Sequence, residues 1–147
     1  MAKLFTLQEA EELIPSLQEW LPEAIDAKKQ AVEADGELRK IAARIQLMGG
    51  MELNPAHVGR FKHTKEHAVK KLQDAMEQIE ESGCVVKDLD IGLVDFPAML
   101  GEQQVFLCWK LGEARIEFWH GIHEGFAGRK PIDDEFGPPS SKRDQPN

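Results

Sequence analysis

Along the first third of the chain, seam positions recur at alternating steps of three and four: Ile14, Leu17, Leu21, Ala24, Lys28, Ala31, Asp35, Leu38, Ala42 and Ile45. All but Lys28 and Asp35 are apolar. This heptad-like spacing predicts one long packed helix. Thr6 followed three residues later by Glu9 is a capping-box pattern and marks the start. Pro15 and Pro22 fall inside the pattern, so a kink or short break is expected near one of them. Met48-Gly49-Gly50 ends the helix, and Asn54-Pro55 restarts one, an N-cap followed by proline in the first turn. The second seam runs Val58, Phe61, Lys65, Ala68, Leu72, Ala75, Ile79, and Gly83 stops it. Two long helices joined by a short loop form an antiparallel hairpin. With its turn centred near Met51, Lys65 comes opposite Asp35, and the two charges are expected to pair; the alternative is that Lys65 extends its amine to solvent.

From Cys84 the period changes to two. VVKDLDIGLVDF sets Leu89, Ile91 and Leu93 against Asp88, Asp90 and Gly92, as a half-buried strand would. VFLCWK and ARIEFWH are two further strands. Gly112 between them fits the first position of a two-residue type II′ turn. That turn sets Leu111 opposite Ala114, Trp109 opposite Ile116, Leu107 opposite Phe118 and Val105 opposite His120. In this register Cys108 and His120 point to opposite faces, which argues against a Cys-His nucleophile pair. Glu113 and His120 lie on the order of 23 Å apart along the strand and share no metal.

The expected fold is α+β, a long antiparallel helical hairpin packed on a small antiparallel sheet of about three strands. One domain spans 1–136, with the hairpin at 6–83, a β-meander at 84–122 and a C-terminal loop segment at 123–136. The polar, proline-rich stretch 137–147 reads as a disordered tail. A formal net charge of −8 without any basic cluster argues against a nucleic-acid partner. Two cysteines, Cys84 and Cys108, make neither a disulfide framework nor a CxxC pair. The N-terminus lacks a signal-peptide pattern and no run is long enough to span a bilayer, so a cytoplasmic protein without a membrane partner is expected.

Two stretches suggest metal chemistry. His120 and His123, three apart at a strand end, with Asp95 as third ligand, are a candidate set for a divalent metal. The bland counterpart is a histidine bonded to backbone at the core edge. His63-Thr64-Lys65-Glu66-His67 matches an inverted zinc-protease motif, but its histidines fall on the solvated side of the second helix.

The residues Lys87-Asp88, Gly92-Leu93-Val94-Asp95-Phe96-Pro97, Cys108-Trp109, Gly112-Glu113, Trp119-His120, Gly125-Phe126 and Gly128-Arg129, with the opening FTLQEAEELIP, carry a family resemblance. Up to Ile132 the chain resembles an uncharacterised prokaryotic family, domain of unknown function 2203. His123 stands outside that motif, and the resemblance brings no activity with it. The motif residues Asp95, Trp119, His120 and Arg129 are expected to converge at one end of the sheet. They would form either a ligand pocket or a clasp in which Asp95 accepts from Arg129. Three functions follow as expectations. The first is a non-catalytic assembly protein forming a homo-oligomer through apolar flanks of the helices (Leu13, Ile25, Val32, Met76). The second is a module binding a small ligand or divalent metal. The third is a metal-dependent hydrolase, with Glu124 or Asp95 as base. Whether the protein is an enzyme is left open by the sequence, as is the identity of any small-molecule ligand.

Overall fold

The computed structural model describes residues 3–49 and 54–132. The expected helix turn near Met51 and the stretch 137–147 lie outside them. The chain divides into two compact units, one of residues 1–21 with 77–147 and one of residues 22–76.

The second unit is built from two helices. Helix α1 spans Leu7–Glu12, α2 runs Ile14–Met48 and α3 runs Pro55–Glu81, so most of α2 and α3 belongs to this unit. Pro22 is tolerated inside α2. Asn54 opens α3, its Oδ1 accepting from the amides of Ala56 (3.1 Å) and His57 (3.3 Å). Lys65 Nζ reaches Asp35 Oδ1 at 2.9 Å, as the two seams predict, and Arg39 binds the other Asp35 oxygen at 2.8 Å. The Lys65 hydrogen bond, helped by the Arg39 charge, holds the Asp35 carboxyl below its ordinary value. His63 and His67 are exposed and stack on each other.

In the first unit, Thr6 and Glu9 form the capping box that starts α1. The chain breaks at Leu13, so Pro15 sits in the first turn of α2, where a missing N–H costs nothing. Among the described residues the sheet has five strands, not about three: β1 (Val85–Asp88), β2 (Leu93–Leu100), β3 (Gln103–Lys110), β4 (Phe118–Gly121) and β5 (Lys130–Pro131), all antiparallel in sequence order. Two local events raise the count. The stretch expected to be one strand breaks because Asp88 accepts from the Asp90 amide, starting a 3-10 turn over Leu89–Ile91, and Gly92 ends that turn at φ 69°. The predicted alternation fails there, and Ile91 is 46% exposed. After a second 3-10 turn at Phe126–Gly128, the chain returns to pair β5 with β4.

One sheet face supplies the core of this unit: Val94, Phe96, Ala98, Val105, Leu107, Trp109 and Trp119 are buried. Ile14, Leu17, Leu21 and Ile79 are buried as well. The Phe5 amide donates to Pro97 O at 2.7 Å, and the Phe5 ring meets Phe96 edge-on at 5.3 Å. Glu11 Oε2 accepts from the Ile116 amide at 3.1 Å, tying the start of the helices to the β3–β4 connection.

Candidate functional site

The geometry of the site depends on the turn after β3. The glycine is at the third position of a Lys110-Leu111-Gly112-Glu113 turn, closed by the Glu113 amide on Lys110 O at 2.9 Å. Gly112 has φ 105°, as the third residue of a type II turn requires. Glu113 fastens the turn twice more. Its side chain accepts from the Lys110 amide at 2.8 Å, and its carbonyl accepts from Trp109 Nε1 at 3.0 Å. The chain then runs irregularly to Phe118. The predicted pairs Trp109–Ile116, Leu107–Phe118 and Val105–His120 therefore do not form. The pairs are Cys108–Phe118, Leu107–Trp119, Phe106–His120 and Val105–Gly121.

A slip of one residue exchanges the two faces of β4. Cys108 and His120, expected on opposite faces, share one. Asp95 is directly opposite Cys108 across β2 and β3 and joins them. One ligand atom from each of Asp95, Cys108 and His120 lies within 4.8 Å of the others, and all three residues are buried. Trp119 goes to the core face, with Lys130 Nζ 4.7 Å above its ring. His123 is exposed in the turn after β4 and lies outside this group.

Within the cluster, Asp95 Oδ2 is 3.0 Å from His120 Nε2, and His120 Nδ1 is 2.9 Å from Gly121 O. A carbonyl oxygen only accepts, so Nδ1 carries the ring proton and donates it there. Nε2 then turns a lone pair toward a carboxylate, and that contact needs a proton or a metal cation between the two atoms. Asp95 Oδ1 is buried and has no hydrogen-bond partner. The Phe106 ring packs against His120 at 5.5 Å.

Burial, and next the negative charge of Asp95, push the Cys108 thiol up to about 11, with Arg129 pulling the other way. Burial also raises the Cys84 thiol. With its thiol protonated and both ring nitrogens of His120 engaged, Cys108 has neither the charge nor the base of a nucleophile. These thiols make stability fall with alkali. An unfolded thiol loses its proton near 9 while the folded one keeps it, so the unfolded state binds fewer protons between the two values and stability declines as pH rises. The urea midpoint is therefore expected to drop between about pH 9 and 11. Cys108→Ala removes its part of that slope, and an unchanged slope in the variant would refute the assignment.

Arg129 is placed on Glu113 rather than Asp95. Its Nη2 contacts both Glu113 carboxylate oxygens at 2.9 and 3.0 Å and the Cys108 carbonyl at 3.4 Å. The guanidinium sits 4.1 Å from the Phe118 ring and 4.7 Å from Phe126. Glu124 accepts from the Gly121 amide at 2.7 Å and pairs with Lys130. The Lys130 hydrogen bond, and then the Gly121 amide, hold its carboxyl below the ordinary value. Cys108 and Glu113 are thus the site residues that the hairpin reading missed. Moving the glycine by one place in the turn shifts every pair by two residues and leaves Cys108 and His120 on opposite faces; the one-residue slip that joins them arises in the irregular stretch between Glu113 and Phe118.

These features define an α+β protein with a closed Asp-Cys-His cluster on one face of an antiparallel sheet. The family model described as an uncharacterized conserved protein, DUF2203, matches residues 3–132, and the chain belongs to that family. No curated protein and no solved structure matches it. Among the described residues, no helix is long and apolar enough to cross a membrane.

Proposed function

We propose that the protein is a metal-binding module whose cation is held by Asp95, Cys108 and His120. The observation that carries this reading is the convergence of three different donor types, all buried, with ligand atoms within 4.8 Å. Two details support it. Asp95 Oδ1 is an acceptor buried without a partner, which is costly unless a donor or cation fills the gap. The Gly121 carbonyl accepts from Nδ1 and so turns Nε2 toward the cluster, as the outer hydrogen-bond partner of a metal-ligating histidine commonly does. A hydrolytic role has less support, because Glu124 is engaged by Lys130 and a backbone amide and Asp95 is buried against His120.

Protein stripped with a chelator and then given Zn²⁺ at a hundredfold excess over its dissociation constant is expected to gain about 2.7 kcal/mol. That corresponds to a rise in melting temperature of roughly 5–10 °C. Asp95→Asn should abolish most of the rise. Elemental analysis showing no metal on the purified protein, together with an unmoved melting curve, would refute the reading.

A homo-oligomer built through the helix pair is the second reading, and one observation favours it. Val32, on an α2 flank, is 62% exposed, as are Leu47 (86%) and Met48 (61%) farther along the helix. Sedimentation equilibrium tests it, and a monomer mass independent of concentration counts against it.

A further inference from the structure

Arg129 is held in an unusual way. Its side chain is only 12% exposed, and Glu113 and the Cys108 carbonyl occupy Nη2. Phe118 and Phe126 flank the guanidinium, so water has little access to it. Yet Nε–H is buried and finds no acceptor. A buried donor left without an acceptor is costly to the fold. The guanidinium already lies beside Cys108, with Nη2 3.4 Å from that residue's carbonyl oxygen. A neutral thiol is a poor acceptor and a metal-bound thiolate a good one. The orphaned donor is therefore what a thiolate at Cys108 would satisfy.

Resting on the metal reading above, we infer that the cation is a thiophilic transition-metal dication of the zinc and cobalt class, bound through the Cys108 thiolate, and that Arg129 is a positioning residue whose Nε–H donates to that sulfur. Thiolate, imidazole and carboxylate together suit such an ion, whereas Mg²⁺ and Ca²⁺ take oxygen donors. On binding, the S–H bond breaks, its electron pair forms the metal–sulfur bond, and the proton leaves to buffer. The proton between Nε2 and Oδ2 leaves likewise. The dication thus replaces two protons, and the buried cluster keeps its net charge. Glu113 has a defined part in this arrangement: both of its carboxylate oxygens anchor Nη2, which fixes the guanidinium beside Cys108.

The test is Co²⁺ titration of the full-length, chelator-stripped protein, read by absorbance, followed by competition with Zn²⁺ and with Mg²⁺. The wild type should show a near-ultraviolet sulfur-to-cobalt charge-transfer band that Zn²⁺ abolishes and excess Mg²⁺ does not. Cys108→Ser should lack the band. Arg129→Gln should weaken Co²⁺ binding about 10–100-fold and move the band to lower energy, because an unbonded thiolate gives up its electron more readily. Arg129→Lys should recover part of the affinity, and Glu113→Gln, which keeps the arginine, should shift the band less than Arg129→Gln does. A band that keeps its energy and affinity in folded Arg129→Gln, or Co²⁺ bound without a thiolate band, overturns this inference and leaves the metal reading standing. Failure of Co²⁺ and Zn²⁺ alike to bind overturns both.

Discussion

Replacing His120 by alanine is expected to destabilise the metal-free protein by about 3–5 kcal/mol, the range for removing one partner of a buried, hydrogen-bonded polar pair. The ring is 2% exposed and supplies the hydrogen bond to Asp95 Oδ2. Asp95 Oδ1 already lacks a partner, so the variant leaves both carboxylate oxygens buried and unmet. The lost ring also opens a cavity against Phe106. Removing both partners should cost less than the two single losses added together, since Asp95→Ala takes away the stranded carboxylate that makes His120→Ala expensive. Urea unfolding of the two single variants and the double variant at neutral pH measures the coupling. A loss below about 1 kcal/mol for His120→Ala would mean that solvent reaches Asp95, and the closed cluster would not exist as described.

Gly92→Ala is the second large effect, expected at roughly 2–5 kcal/mol. Two costs add. At φ 69° an L side chain is strained by about 1–2 kcal/mol. The new methyl would also stand 2.5 Å from Leu111 Cβ, closer than side chains tolerate, and overpacking of this sort costs about 1–3 kcal/mol. Leu111 has little room to retreat because its amide donates to Gly92 O at 3.0 Å. Relief therefore means shifting the turn that ends β3. A companion change separates the two costs: Leu111→Ala still leaves the Cβ contact and should rescue little, whereas Leu111→Gly should recover the steric part alone. Denaturant midpoints for the three variants provide the check. A Gly92→Ala protein as stable as the parent would show that Gly92 neither adopts that backbone angle nor approaches Leu111.

The helices were the most legible part of the chain. Their signals are local: Thr6 with Glu9 at one start, Asn54-Pro55 at another, and apolar residues recurring with the helical period. Even the Asp35–Lys65 pair across the two helices followed from counting seam positions back from the turn. Strand identity was partly legible too, since alternation marks β3 and β4 without saying how they pair. The sheet count was not, because Asp88 and Gly92 interrupt a pattern whose apolar residues look continuous, and β5 is too short to carry a pattern.

Local side-chain and backbone preferences settled which segments of this chain are helix and which are strand, and they singled out Asp95 and His120 as residues of interest. Whether Cys108 joined them depended on one residue of register, and that residue is taken up in the irregular stretch between Glu113 and Phe118. That stretch and the turn before it are held by contacts distant in sequence: the Leu111 amide on Gly92 O and the Glu11 carboxylate on Ile116 N–H, with the Arg129 guanidinium on Glu113. Each joins segments whose separation along the chain no periodicity records. Because side chains alternate across a strand, those contacts decided which face His120 occupies, and with it whether three scattered donors become one site.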